Sequence, residues 1–355
     1  MKTLCGVRVG DMKDPNPETR GLVDLVDIPF PELGPQDVRI KVAYCAICGS
    51  DPHVVGGCFG EAPGSTKPIP LGHEISGIIL ELGPEANHKG LKVGDRVAGN
   101  FLRPCGGCYY CQNGQQQFCE NAQTYNRPGD APELIWHEDQ VYKLPDNVSL
   151  KEGCLLEPIS IIVRMMDKAQ MKVGMRVCVC GGGPIGLLAL QTFKMYGATS
   201  LTLIEPIADR RALGKELGAE YLIDPMTQDV VETANEITAG LGYDVVLDCS
   251  GSPRAVAPLP EIAAKCGMLI YGAQYPNDYE MPFNISKYCY FKELTVTGVM
   301  VAPYAYPRAL QLLPHLNLSC LTNTVFELDD GVKAFEAQLT GKYPKILIRC
   351  NPDID

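Results

Sequence analysis

The chain has no apolar run long enough to cross a membrane and no excess of positive charge. The first absence argues against a helical membrane protein. The second, a net charge of −11, makes nucleic acid and anionic membrane poor partners. Internal repeats and low-complexity tracts are missing too. The first ten residues are broken by Gly6, Arg8 and Gly10, so they do not read as a secretion signal and a cytoplasmic protein is expected. What is present is ordinary for a soluble chain, with 46% hydrophobic and 21% charged residues. A length of 355 residues suggests two domains with ample core. Cysteine is the exception, at sixteen. Without a secretion signal, these point to metal binding and scattered buried thiols before a disulfide framework.

Residues 176–186 anchor the reading. Val177 to Cys180 is a short apolar run suited to a strand buried on both faces. Gly181, Gly183 and Gly186 then give Gly-x-Gly-x-x-Gly, with Pro184 and Ile185 inside the turn and a helical apolar pattern after it. The first glycine permits the tight turn, the second lets a pyrophosphate approach, and the third lets helix and strand pack closely. The helix N-terminus attracts the phosphate charge. The next strand ends in Glu205, where a ribose-binding acid belongs, so NAD is the expected cofactor. Arg210 and Arg211 lie close behind, and either would welcome the extra phosphate of NADP or, for one of them, stack on adenine.

The rhythm of the chain changes twice. Residues 1 to about 155 are rich in Gly, Pro and short alternating runs, such as Val38–Ile40–Val42 and Ile75–Gly77–Ile79, and read as a β-rich domain with long loops. After that, strands at 177–180, 200–204, 220–223, 244–249 and 267–271 alternate with helices at 184–196, 208–217, 228–238 and 254–264. Such alternation predicts a doubly wound parallel sheet. Beyond residue 296 a helix at 305–313 and a closing strand at 344–348 read as a return to the first domain. The expected division is 1–156, an inserted nucleotide domain at 157–296, and 297–355.

Cys105, Cys108, Cys111 and Cys119 stand as C-x2-C-x2-C-x7-C in a polar loop. Four thiolates so close form a closed tetrahedral zinc site of structural role, with an iron–sulfur cluster as the rival. Three other fragments, residues 48–53, 72–74 and 156–158, supply Cys48, His73, Glu74 and Glu157. Alone, each is ordinary. Together they offer thiolate, imidazole and carboxylate to a catalytic zinc with one open position. Such a metal polarises an alcohol oxygen so that its proton leaves near neutral pH, and hydride passes to the nicotinamide.

Taken in chain order, from residues 47–53 through 72–74, the four-cysteine lobe and 156–158 to the glycine turn with Glu205, these five motifs resemble the zinc-dependent medium-chain alcohol and polyol dehydrogenase superfamily. The likeness is greatest to the sorbitol, threonine and butanediol dehydrogenase branch, because Glu157-Pro158 replaces a third cysteine ligand. The resemblance implies a GroES-like catalytic domain with an inserted Rossmann domain, and a homotetramer or dimer. It implies that Cys48 and His73 bind zinc directly, with Glu74 and Glu157 binding directly or through water. Ser50 and His53 would relay the alcohol proton, and Asp51 would hold a structural hydrogen bond.

Three departures from the sorbitol pattern stand out. Arg164 stands where a His is expected, Met300-Val301-Ala302 replaces Phe-Arg-Tyr, and Val54 replaces a Tyr. Fewer polar contacts remain for a long polyol. The leading reading is an NAD-dependent oxidation of a secondary alcohol in a polyol, sugar or vicinal diol. A threonine-type amino-alcohol dehydrogenase comes second and needs an anion contact for the substrate. A non-catalytic relative comes last, since all four candidate ligands are present.

Overall fold

The computed structural model describes residues 1–58, 60–122, 124–125, 128–276 and 278–354. Two compact units result. One comprises Met1–Glu157 with Tyr306–Asp355, the other Pro158–Ala305.

The first unit is built on antiparallel strands. Asp37–Ala46 lies at the centre of its larger sheet, pairing with Glu74–Leu82, with Glu133–His137 and with Leu347–Arg349. Alternation is visible in burial, since Val38, Ile40 and Val42 are fully buried while Asp37, Arg39 and Lys41 are half-exposed. The C-terminal segment pairs Leu347 with Ala46 and Ile348 with Cys45, so the tail completes the sheet begun near residue 37. A smaller sheet joins Lys2–Arg8 to Leu22–Asp27 and Ile69–Pro70.

The second unit holds six parallel strands. From one edge they run Tyr221–Ile223, Ser200–Ile204, Arg176–Cys180, Tyr243–Asp248, Ala263–Tyr271 and Thr295–Gly298. The order reverses between Arg176–Cys180 and Tyr243–Asp248, the switch point at which this architecture binds ligands. Val177 to Cys180 are at most 1% exposed, so the apolar run is covered on both faces. The fold is therefore α/β, a GroES-like β-rich domain with a Rossmann-type parallel sheet.

Two details differ from the sequence reading. The expected helix at 254–264 is two short pieces, Pro253–Val256 and Leu259–Ile262, and the strand Ala263–Tyr271 already begins where the helix was to end. Pro258 and Pro260 explain the break, because proline in a helix interior loses a hydrogen bond and clashes, at about 3 kcal/mol. The second division falls after Ala305, not after residue 296. Arg164 holds the later residues to the second unit by donating from Nη1 to the carbonyls of Met300 and Val301.

Candidate active site

The glycine turn is explained by what a side chain would strike. Gly181 has φ +100°, and a Cβ there would lie 2.9 Å from the backbone of Cys249 and Ser250. At Gly186 a Cβ would lie 1.8 Å from the Gly181 carbonyl oxygen. A Cβ on Gly183 would meet nothing within 4 Å, so it would fill open space directly ahead of helix Pro184–Met195. That open cradle at a helix N-terminus fits a pyrophosphate. Ile185 and Pro184 occupy the first helical turn, where Pro has no intrahelical N–H to lose.

Glu205 is 3% exposed, and its oxygens accept from the Gly182 and Ile207 N–H groups at 2.6 and 2.9 Å. Its carboxylate is thereby aimed at the turn, with lone pairs remaining on both oxygens. The two arginines behind it separate. Arg211 donates to the Glu205 carbonyl at 2.7 Å and pairs with Asp224 at 2.8 Å. It is already engaged by protein, which argues against a phosphate-binding role. Arg210 lies against the turn, its Cβ 3.4 Å from where a side chain on Gly182 would begin.

In the cysteine lobe, one sulfur each from Cys105, Cys108, Cys111 and Cys119 lie within 4.8 Å of one another. The Cys108 and Cys119 sulfurs are 3.9 Å apart, too far for a disulfide. Two sulfurs on one tetrahedral zinc stand about 3.8 Å apart. The backbone N–H groups of Cys111 and Glu120 hold the Cys108 thiol down to about 6. Backbone N–H groups of Gly107 and Cys108 likewise lower Cys105. The donor set suits a thiolate-bound cation.

The second cluster brings together Cys48, His73 and Glu74, with one donor atom from each inside the same 4.8 Å limit. Cys48 sits in the turn between strand Asp37–Ala46 and the short helix Asp51–Val55. Asp51 shapes that turn by accepting the Cys48 N–H at 2.8 Å, and its other oxygen lies 3.4 Å from His73 Nδ1. With Nδ1 turned to Asp51, Nε2 is the nitrogen left for a metal, the usual pairing of a ligating histidine with a carboxylate. Gly72, at φ +86°, fixes where His73 begins, since a Cβ there would lie 2.5 Å from the Asp130 nitrogen and 2.7 Å from Cys45 Sγ. Phe101 packs its ring 4.7 Å from His73.

Buried acid dominates this neighbourhood. Asp51, Glu74, Asp130 and Glu157 are each at most 5% exposed, while Lys345 is the buried ammonium beside them. Burial, with Asp51 adding to it, pushes the Asp130 carboxyl up to about 8. Burial also pushes Glu157 up to about 7; His73 opposes this and Glu74 adds to it. Burial disfavours a charged His73, but Asp51 and Cys48 outweigh it and raise the imidazole well above its ordinary range. Four buried carboxyl groups beside a thiol and an imidazole are a donor set that suits a dication, whose charge would offset the cost of ionising Asp130 and Glu157. Glu157 opens helix Leu156–Ala169 and stands outside the tight trio.

Ser50 and His53 lie three residues apart on one short turn, and so on one face. Burial, then Lys13, holds His53 below its ordinary value, which keeps a neutral imidazole able to accept a proton. Val54 is fully buried and offers no polar contact.

Sequence reasoning missed Lys345. Its Nζ lies 2.7 Å from both Glu74 oxygens. Burial opposes its charge, but Glu74 and Cys48 raise it above the usual lysine value. The Ile47 N–H donates to the Ile346 carbonyl at 2.9 Å, which sets Lys345 beside the Cys48 turn. The available signal was a lysine inside the otherwise apolar closing segment.

Residues 34–146 match the alcohol dehydrogenase GroES-like domain, and residues 184–314 match the zinc-binding dehydrogenase family. The chain belongs to the zinc-dependent medium-chain alcohol and polyol dehydrogenase superfamily. It is 34% identical over 337 residues to D-arabitol-phosphate dehydrogenase of Enterococcus avium, covering 92% of this chain and 94% of that one. It is 32% identical over 342 residues to sorbitol dehydrogenase of Rattus norvegicus, covering 94% of each. A candidate zinc-binding dehydrogenase of Sinorhizobium meliloti, solved with NADP bound, superposes with a TM-score of 0.85 at 28% identity, over 98% of this chain and 100% of that one. As a member of this superfamily, the chain is a zinc-containing oxidoreductase that uses a nicotinamide dinucleotide. Among the described residues no helix is long and apolar enough to cross a membrane.

Proposed function

We propose that this dehydrogenase transfers hydride between the secondary alcohol of a polyol, sugar or vicinal diol and NAD. The observation that carries the reading is the trio of half-buried Cys48 with buried His73 and Glu74, ringed by further buried carboxyl groups. Zinc, when bound, supplies a Lewis acid that lowers the proton affinity of an alcohol oxygen, and the nicotinamide supplies the hydride acceptor. Cys48 and His73 would hold that metal, with Asp51 fixing the imidazole tautomer. Glu157 would join them directly or through water. Glu74 would do the same only as far as Lys345 releases it. Ser50 would take the alcohol proton and His53 would pass it to solvent. Cys105, Cys108, Cys111 and Cys119 would hold a second, structural zinc. Gly181, Gly183, Pro184, Ile185 and Gly186 would receive the pyrophosphate, and Glu205 the ribose hydroxyls. Arg210 would lie beside the adenosine half. Preference for NAD over NADP rests on Glu205 and on Arg211 being held by Asp224.

The substrate is a small molecule. Arg164 spends its Nη1 on two backbone carbonyls, which leaves that group poorly placed to bind the carboxylate of a threonine-like substrate. A homo-oligomer is supported by the edge strand Thr295–Gly298 and by Ile285, Tyr290, Phe291 and Val296, each at least 41% exposed. We infer the cytoplasm because none of the cysteines is in a disulfide. NADH release on a panel of polyols, phosphorylated polyols, sugars, vicinal diols and threonine, with NAD and NADP compared, tests the reading. The expected result is turnover of a secondary alcohol at higher kcat/KM with NAD. Turnover confined to threonine, or higher kcat/KM with NADP, overturns it.

A further inference from the structure

Asp248 ends the fourth strand of the parallel sheet and pairs in register with Cys180, the last residue before the glycine turn. It is fully buried, and its carboxylate is bonded on both sides. Oδ1 accepts from the Ser250 hydroxyl at 2.7 Å and from the Ser250 N–H at 3.2 Å. Oδ2 accepts from the Tyr275 hydroxyl at 2.6 Å. Ser250 in turn accepts the Ser252 N–H at 3.2 Å.

These bonds tie three loops together at the switch point. The Cys249–Ser250 backbone is the surface that a side chain on Gly181 would strike. The Cys249 N–H also donates to the Cys180 carbonyl at 2.8 Å. On its other side, Gly251, at φ +62°, packs so closely that a Cβ would lie 2.8 Å from the Gln274 carbonyl. The Gly272 N–H returns to the Asp248 carbonyl at 2.9 Å. Residues 249–251 are thus held between the glycine turn and residues 272–275. Tyr275 is stacked on Tyr279, with ring centroids 5.4 Å apart, and the Tyr279 hydroxyl donates to the Pro253 carbonyl at 3.2 Å.

We propose that Asp248 and Tyr275 are positioning residues for the dinucleotide, holding residues 249–251 in the conformation that closes the switch-point crevice beside Gly181. The inference rests on the reading of the glycine turn as the dinucleotide site. Neither residue takes part in hydride transfer. Their work is done before binding, by keeping one loop conformation populated. Cofactor affinity falls by whatever fraction of that population is lost.

The test is NADH binding, followed by cofactor fluorescence, in the zinc-loaded wild type and in Tyr275→Phe, Asp248→Asn and Glu205→Ala. Tyr275→Phe removes one hydroxyl from a half-buried ring and keeps the stacking shape. It should weaken NADH binding by about tenfold, since the lost bond is to a charged acceptor. KM for NAD should rise more than kcat falls, with zinc content and melting temperature close to wild type. Asp248→Asn should shift affinity in the same direction; if it does not fold, Tyr275→Phe decides. NADH affinity equal to wild type in Tyr275→Phe, with Glu205→Ala weakened, overturns the inference and leaves the glycine-turn reading standing. A wild type that binds no dinucleotide overturns both. A kcat loss larger than the KM rise also overturns it.

Discussion

Substitution of Lys345 by methionine removes an ammonium that is 2% exposed and lies 2.7 Å from both oxygens of Glu74, itself 1% exposed. The methionine roughly fills the aliphatic volume, so the change is mainly electrostatic. What remains is a carboxylate in a site where Asp51, Asp130 and Glu157 are also buried. Removing one partner of a buried pair costs about 3–5 kcal/mol, because the surviving charge stays desolvated. For a unit of this size each kcal/mol moves the melting temperature by about 2–4 °C, so a fall of roughly 6–20 °C is expected. The double change Glu74→Gln with Lys345→Met removes both charges and should recover most of the loss. Thermal unfolding of the three proteins, each with zinc content measured, is the assay. A melting temperature for Lys345→Met within about 2 °C of wild type would refute the reasoning. So would a double variant no more stable than the single one.

Three further outcomes follow from the same geometry. Cys111→Ser should release about one zinc per chain and destabilise the lobe while leaving the other zinc in place; iron with visible absorption would show the lobe to be an iron–sulfur site. Ser50→Ala should keep zinc and NAD binding yet slow hydride transfer by roughly a hundredfold or more, read in single-turnover experiments. The His88 backbone N–H donates to Glu138 Oε2, and its ring Nδ1 lies 2.6 Å from Oε1 of the same carboxylate; that ring contact raises the imidazole above its ordinary 6.5. That contribution to stability is complete below pH 6.5 and lost as pH rises through the raised value, so His88→Gln should flatten the decline of melting temperature above neutrality.

Local chemistry was legible in the sequence and distant chemistry was not. The glycine turn and the cysteine lobe each lie within a short contiguous stretch, so the spacing itself carries the geometry. The alternation of strand and helix gave the parallel sheet because its central runs are buried on both faces, as Val177 to Cys180 are. The helix expected at 254–264 failed where Pro258 and Pro260 overrode a favourable apolar pattern. The hydrogen bond from Arg164 to the Met300 carbonyl, across 136 residues, is a contact that no local spacing announces. Lys345 is 271 residues from Glu74, and only the pairing of the closing segment with residues 44–47 brings them together. Pairing of that kind is set by the tertiary fold, and no local spacing announces it.

The central claim is that the Cys48 cluster carries the metal at which the alcohol is oxidised. The most direct measurement is zinc content together with NADH formation in wild type and Cys48→Ser, in the same preparation. Wild type should carry about two zincs per chain and Cys48→Ser about one, with the dinucleotide still bound and NADH formation abolished. A Cys48→Ser protein that keeps both zincs and oxidises a secondary alcohol at the wild-type rate would contradict it.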